Sequence, residues 1–454
     1  MNLRAPLSAL ATLALAACLS VPQSTGAPVS GGSAQIALPP MRLFGPGSPA
    51  PAMRSNADMA QDFLDLSFRL ESGQELDGFS RFTGPMTLRL TGKIPPTVPH
   101  DLAALLARLG GEAGLSLIQT TNADAAITIE FLPRRQLQAR APDAACFVAP
   151  RVGSWSEYRR ASRATLDWGD FQNRDHLAIF IPSDTSAQEI RDCLHEELAQ
   201  ALGPLNDLFR LPDSVFNDDN IQSVLTGFDM LMLRVTYAPE LQPGMSQGAV
   251  AAALPAILAR LNPAGQRPGS PLPPTPRAYG DAIARALGHG TSAAGRRAAA
   301  AEALAIAEPW QDHRTGFAWL ALGRLSGHEQ KADALYAFQT ADQLFRARGL
   351  PLYAAHADMQ LAAFALAQGH WGAAIGLADA ALPAATAAQN AALMSALMLT
   401  KAEALDHMGQ AETARRLRLD SLAWARYGMA SDTEVRQRLE TLAALADKSD
   451  NTTP

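Results

Sequence analysis

Two proline-rich stretches divide the chain and set how many folded parts it can have. Residues 19–55 read LSVPQSTGAPVSGGSAQIALPPMRLFGPGSPAPAMRS and residues 263–276 read PAGQRPGSPLPPTP. Proline locks φ and removes a backbone donor, so neither stretch continues a helix or fills the interior of a sheet. The chain has 454 residues, enough for two or three domains. At 48% hydrophobic and 18% charged residues, each part can bury a core. A net charge of −6 with no long basic run excludes nucleic acid as the main partner, because neutralising phosphates takes clustered Lys and Arg.

The first residues, MNLRAPLSALATLALAACLS, set a positive Arg4 before a short apolar run over 7–17 that ends in Leu15-Ala16-Ala17-Cys18. The run is too short to cross a hydrocarbon core of about 30 Å as a helix, so it reads as an export signal over 1–17. Its ending resembles the lipobox of bacterial lipoproteins. That resemblance implies lipidation of Cys18, a membrane anchor through that lipid and residence in the periplasm; Leu19 at the next position implies the outer membrane. The alternative is an ordinary cleaved signal. Residues 18–55 then form a disordered tether, poor in the large apolar groups that order a chain. With Cys18 lipidated, Cys146 and Cys193 are the remaining cysteines. In an oxidising compartment they form a disulfide, with two buried thiols as the alternative.

Between the two breaks the pattern is α+β. PMTLRLTG (85–92), AAITIEFL (125–132) and HLAIFIP (176–182) are of strand length and composition. Asn56 opens a helix through MAQDFLDLSFRL, and PHDLAALLARLGGEAG has helical apolar spacing closed by glycines. Ser183 or Asp184 opens another helix, and two more run through SVLTGFDMLMLRVTYA and SQGAVAAALPAILARLN. Beyond the second break the chain is Ala-rich and helical to about residue 446, followed by a tail over 447–454. Segments starting at Gly327, Gly369 and Gly409 repeat a helix-turn-helix pattern at roughly 40 residues. The pattern resembles tetratricopeptide repeats, with Ala374, Ala378 and Ala381 at small-residue positions, although that family's period is 34. A non-repetitive helical bundle is the alternative. The expected domains are therefore 56–262 and 277–446, joined by a linker over 263–276.

The chemistry concentrates in CLHEELAQALGPLND, residues 193–207. On a helix Glu196 and Gln200 lie about 40° apart on one face, whereas His195 points about 140° from Gln200. Ile190, Leu194, Leu198 and Ala201 make the core stripe. The apparent His-Glu pair is therefore a decoy. Read one residue later, Glu196-Glu197-x-x-Gln200-x-x-Gly203-x-x-Asn206-Asp207 has the spacing of H-E-x-x-H-x-x-G-x-x-H/D, the zinc motif of metzincin peptidases. Downstream, Ser214, Leu225, Thr226 and Asp229 resemble that family's Met-turn and closing helix, with Phe216 where its Met stands. The segments ACFVAP, RDCLHEELAQALGPLND and SVFNDDN are also similar to an uncharacterised family of exported bacterial proteins with an EExxQxLG…ND…FNDD core.

These resemblances imply a zincin-like fold with altered corners. Glu196, Gln200 and Asn206 or Asp207 take the ligand positions, and only Glu197 keeps its family role, that of general base. Zinc favours imidazole and thiolate, so an all-oxygen set suits Ca²⁺, Mg²⁺ or Mn²⁺ better, with Asn217, Asp218 and Asp219 able to add oxygens. The other reading has these side chains hydrogen-bonding loops that a metal once organised. FNDDN lacks the Gly and distal Glu of an EF-hand and reads as a turn, and Trp155, Trp168 and Phe171 read as core. The functional expectation is a non-catalytic peptide- or protein-binding module, with partners held by the cleft and by the helical repeats. The rival is an atypical metallopeptidase in which Glu196, Gln200 and Asp207 hold a metal and Glu197 activates water.

Overall fold

A computed structural model describes residues 37–47, 51–142, 144–288, 290–326, 330–429 and 431–450. The signal segment, Cys18, Gly327 and residues 451–454 lie outside the described residues. The described residues divide into two compact units, one over Phe44–Ser292 and Ala305–Pro309, and one formed by 37–43, Ala293–Leu304 and the residues from Trp310 to Asp450.

In the first unit the elements follow in the order α1 (Asn56–Ser67), β1 (Arg81–Phe82), β2 (Met86–Gly92), α2 (Val98–Arg108), β3 (Leu117–Gln119), β4 (Ile127–Leu132), α3 (Arg134–Gln138), β5 (Phe147–Pro150), α4 (Trp155–Arg160), β6 (Asn173–Arg174), β7 (Leu177–Pro182), α5 (Ala187–Leu202), α6 (Gly227–Thr236), α7 (Gln247–Leu261) and α8 (Arg277–Leu287). The main sheet has the order β3-β2-β4-β7-β5, and β1 pairs with β6 in a separate two-stranded ribbon. In the main sheet β2 is parallel to β3 and β4, and β4 to β7; β5 runs antiparallel to β7 at the edge. This mixed sheet and its helices make the unit α+β.

Period-2 alternation explains why β7 is buried throughout. Leu177, Ile179 and Ile181 join the larger core with Leu194 and Leu198 of α5, whereas Ala178 and Phe180 join a smaller core on the other face with Trp155 and Leu137. Phe147, Trp155, Tyr158 and Phe180 form an aromatic cluster on that face, with Phe180 edge-on to Trp155 at 5.1 Å. Trp155 and Phe171 are core residues, as their composition suggested. The helix α5 lies on β7 and β5 and is flanked by α2.

The second unit holds α9 (Ala293–Ala307), α10 (His313–Leu325), α11 (Lys331–Ala347), α12 (Pro351–Ala367), α13 (Trp371–Ala387), α14 (Ala391–His407), α15 (Ala411–Gly428) and α16 (Asp432–Asp450). From α10 to α15 each helix packs on the next, and α12 also packs on α14. The starts of α11, α13 and α15 at Lys331, Trp371 and Ala411 recur every 40 residues. The turns repeat as well. Gly349, Gly369, Gln389 and Gly409 all take positive φ, and the following N–H reaches back to the carbonyls of Phe345, Ala365, Ala385 and Leu405. Those are Schellman caps, which favour glycine at the left-handed position; Gln389 adopts it without that help. Ala374, Ala378 and Ala381 are buried against the neighbouring helices. The C-terminal part is thus helical and repeat-like.

Four boundaries differ from the sequence reading. Ser55, not Asn56, caps α1 by accepting from the Asp58 N–H. Residues 37–47, expected as tether, make specific contacts: Arg42 pairs with Asp420 at 2.8 Å, and Phe44 is buried. The proline-rich stretch over 263–276 also makes specific contacts, since the Ser270 N–H donates to Asp58 at 2.9 Å. Finally α8, expected with the repeats, belongs to the first unit because Tyr279 is buried edge-on against Phe209 at 5.2 Å.

Cys146, just before β5, forms a disulfide with Cys193 on α5, across a sequence separation of 47 residues. Closing a loop of that length in the unfolded chain is worth about 4 kcal/mol in the chain-entropy account. The double variant Cys146→Ser with Cys193→Ser is expected to lose roughly 3–4 kcal/mol of unfolding free energy in urea titration, relative to the oxidised protein. A loss below about 1 kcal/mol would show that the edge strand and α5 are held by packing alone.

Candidate functional site

The motif helix α5 starts later than its sequence suggests. Ser186 caps it by accepting from the Glu189 N–H, because the Asp184 carboxylate is already taken by the Arg134 N–H at 2.7 Å. Its C-terminus is fixed by a cation. Arg174, fully buried on β6, donates to the carbonyls of Gln200 at 2.7 Å, Ala201 at 2.6 Å and Gly203 at 2.6 Å. A guanidinium at a helix C-terminus satisfies carbonyls that have no helical partner and meets the negative end of the dipole. Burial nonetheless lowers its pKa to about 10. Gly203 leaves the helical backbone at the C-cap, where a Cβ would come within 2.9 Å of the Thr236 hydroxyl.

The structure places the expected site residues as follows. His195 is buried, and its Nδ1 accepts from the Leu225 N–H at 3.1 Å. Burial, then Arg191 and Arg108, hold its pKa well below the usual imidazole range, so it is a neutral structural residue. Gln200 Nε2 donates to Asp207 Oδ2 at 3.0 Å. Asn206 Nδ2 donates to the Asp65 carbonyl on α1 at 2.9 Å. Glu197 is buried and accepts from the Val148 N–H of the edge strand β5, while its Oε2 has no hydrogen-bond partner. Glu196 is half-buried beside it. In the FNDDN turn, Asn217 donates to the Leu211 carbonyl and to Asp219, and Asp219 accepts from the Ile221 N–H, so these two side chains build the turn itself. Asp218 faces the motif instead.

One residue at this site has no signal in the motif. Glu71 sits in a tight turn after α1, where the Leu70 N–H donates to the Gln74 carbonyl and the Gly73 N–H to the Leu70 carbonyl. It acts electrostatically on Glu196, Glu197, Asp207 and Asp218 alike, and its carboxyl hydrogen-bonds that of Asp207. Burial first, and then these mutual repulsions, raise all four pKa values, Glu196 and Asp218 to about 8. Two hydrogen-bonded carboxyls must share a proton. The site is therefore a set of five electrostatically coupled carboxyls, of which Glu71, Glu196, Asp207 and Asp218 keep partial solvent exposure.

Its loops are tied from outside the set. Arg210 bridges Asp62 at 2.9 Å and Asp65 at 2.7 Å, fixing the segment after α5 onto α1. Arg54 also pairs with Asp62 and lies 4.1 Å over the Phe228 ring. Ser214, Leu225, Thr226 and Asp229, the residues of the downstream resemblance, come together: Asp229 accepts from Ser214 Oγ at 2.5 Å and from the N–H groups of Val215 and Thr226, closing a capping box on α6. Phe216 is fully buried in the larger core.

The amide side chains at the expected ligand positions bond within the protein through their nitrogens. Gln200 and Asn206 hydrogen-bond the protein, and among the described residues no group of three or more His, Cys, Asp or Glu side chains is disposed to hold an ion. Residues 56–256 match a family described as a protein of unknown function, DUF2927. No curated protein matches the chain, and no solved structure does. The match spans all of α1 to α6 and most of α7, and so contains all five coupled carboxyls.

A carboxyl whose folded pKa is raised stabilises the fold fully below its unfolded value of about 4, and that contribution is lost as pH rises through the folded value. Above about pH 6.5 His195 is neutral folded and largely neutral unfolded, so the carboxyls dominate there. The thermal midpoint is expected to fall between about pH 6.5 and 8.5. Glu196→Gln should flatten that slope and raise the midpoint at the upper pH by roughly 2–4 °C, the effect of about 1 kcal/mol. An unchanged slope would place Glu196 outside the coupled set.

Proposed function

We propose that the chain is an exported, lipid-anchored envelope protein whose α+β unit is a non-catalytic module that binds peptide or protein. In this reading the unit is a zinc-peptidase-like scaffold whose zinc corners are replaced by Glu196, Gln200 and Asn206, and the lipid sits on Cys18. The observation that carries it is that Gln200 and Asn206 direct their amides to Asp207 and to the Asp65 carbonyl. Those groups now hold the loop after α5 in place. A sheet with parallel central strands and an antiparallel edge strand beside the motif helix supports the scaffold part of the reading. The disulfide suits an oxidising compartment, which supports export. The repeats offer a second surface for protein contact. The helix α16 already covers part of it, since Leu442 and Ala446 pack with Leu366 and Leu399.

The rival reading, an atypical metallopeptidase, draws on one observation: Glu197 at the general-base position has an unpartnered buried oxygen. A quenched fluorogenic peptide library separates the two. The full chain is expected to bind library peptides without cleaving them, with or without a chelator. Cleavage that a chelator stops and that Glu197→Gln abolishes would establish the peptidase instead.

A further inference from the structure

The edge strand β5 turns few backbone groups outward, and its donors can all be accounted for. The register sets Phe147 opposite Phe180 and Ala149 opposite Ala178 in an antiparallel pair. Just past the strand the Arg151 N–H donates to the His176 carbonyl at 2.8 Å. Residues in such a pair alternate between bonding the partner strand and turning their backbone groups away from it. Phe147 and Ala149, in phase with Arg151, therefore donate to β7, and Val148 and Pro150 face outward. Pro150 has no N–H to offer. The Val148 N–H is taken by the Glu197 carboxyl. Over its four residues β5 thus presents no free donor at the edge.

The helix α5 makes two ties to this strand, and their spacings agree. Cys193 and Glu197 lie one turn apart on one face of α5, about 6 Å along its axis. Cys146 and Val148 are two residues apart along an extended chain, about 7 Å. A helix and a strand lying side by side can therefore be joined at both points: covalently between Cys146 and Cys193, and by the Val148–Glu197 hydrogen bond one repeat further on. Cys146 and Val148 share the sheet face that packs into the larger core with Cys193.

We infer that Glu197 is a positioning residue, a latch that holds the β5 edge to α5. With Pro150 and the Cys146–Cys193 bond, it seals that edge against pairing with a further strand. An edge with free donors is a template for association, and strand addition is a common way to hold an extended peptide. Here that mode is closed: a peptide bound by this unit, in the reading above, does not add to β5. The latch itself holds whether or not the unit binds peptide.

The test is hydrogen–deuterium exchange read at single amides in the oxidised full chain. Burial holds the Glu197 carboxyl well above the usual carboxylate range, so glutamine matches it in both shape and charge at neutral pH. The Val148 amide is expected to be protected in the native chain and in Glu197→Gln, which keeps an acceptor. In Glu197→Met, which fills the same space without one, it should exchange about tenfold faster, the size of one lost hydrogen bond. The Phe147 and Ala149 amides, bonded to β7, should keep their native rates in both variants, which separates loss of the latch from unfolding of the strand. A Val148 amide that exchanges freely in the native chain, or as slowly in Glu197→Met as in the native chain, would overturn the latch. Slower exchange across β5 when a blocked hexapeptide of alternating threonine and valine is added to the native chain would overturn the sealed edge, because it would report strand addition.

Discussion

Like charges brought together out of water cannot all stay charged, and this constraint governs the first unit. Glu196, Glu197, Asp207 and Asp218 come from a helix, the loop that follows it and a turn further on, and Glu71 reaches all of them from a different turn. A fold that brings five carboxyls together must hold them by other means, because they repel one another. Protonation relieves the cost of burying charge and that repulsion, which is why the pKa values of Glu196, Glu197, Asp207 and Asp218 are raised. A structural ion-pair network would have placed arginines between them. Here the arginines Arg174 and Arg210 take backbone carbonyls and carboxylates outside the set.

Those arginines show how the arrangement is enforced. Arg174 anchors the last turn of α5 through backbone carbonyls, Arg210 fixes the following loop to α1, and the disulfide ties α5 to the residue before the edge strand. Each arginine acts on the backbone or on a carboxylate outside the coupled set. Backbone anchoring of this kind lets a site keep unfavourable electrostatics without losing its shape. Gln200 and Asn206 add hydrogen bonds to Asp207 in the loop after α5 and to the Asp65 carbonyl of α1.

Local pattern carried much of this structure. The strands over 86–92, 127–132 and 177–182, the motif helix and the 40-residue helical repeat all follow from periodicity, whereas the capping box of Thr226 and Asp229 starts α6 at Gly227, inside the longer helical stretch expected from the sequence. The orientation of His195 followed from helical geometry, and its buried bond to the Leu225 N–H agrees. What escaped is long-range. Glu71 lies 125 positions before Glu196, in a turn with no motif spacing, and only tertiary packing brings them together. The edge strand β5 is four residues long, below what alternation can signal. The placement of α8 depends on Tyr279 meeting Phe209, a contact that the proline-rich stretch before it conceals.

Infrared spectroscopy of the full chain at neutral pH tests the central claim most directly, because a protonated carboxyl and a carboxylate absorb at separate frequencies. The account predicts a carboxylic-acid band at neutral pH that weakens in Glu71→Gln, as removing one charge lets its neighbours ionise. Carboxylate absorption alone, unchanged by that substitution, would contradict it.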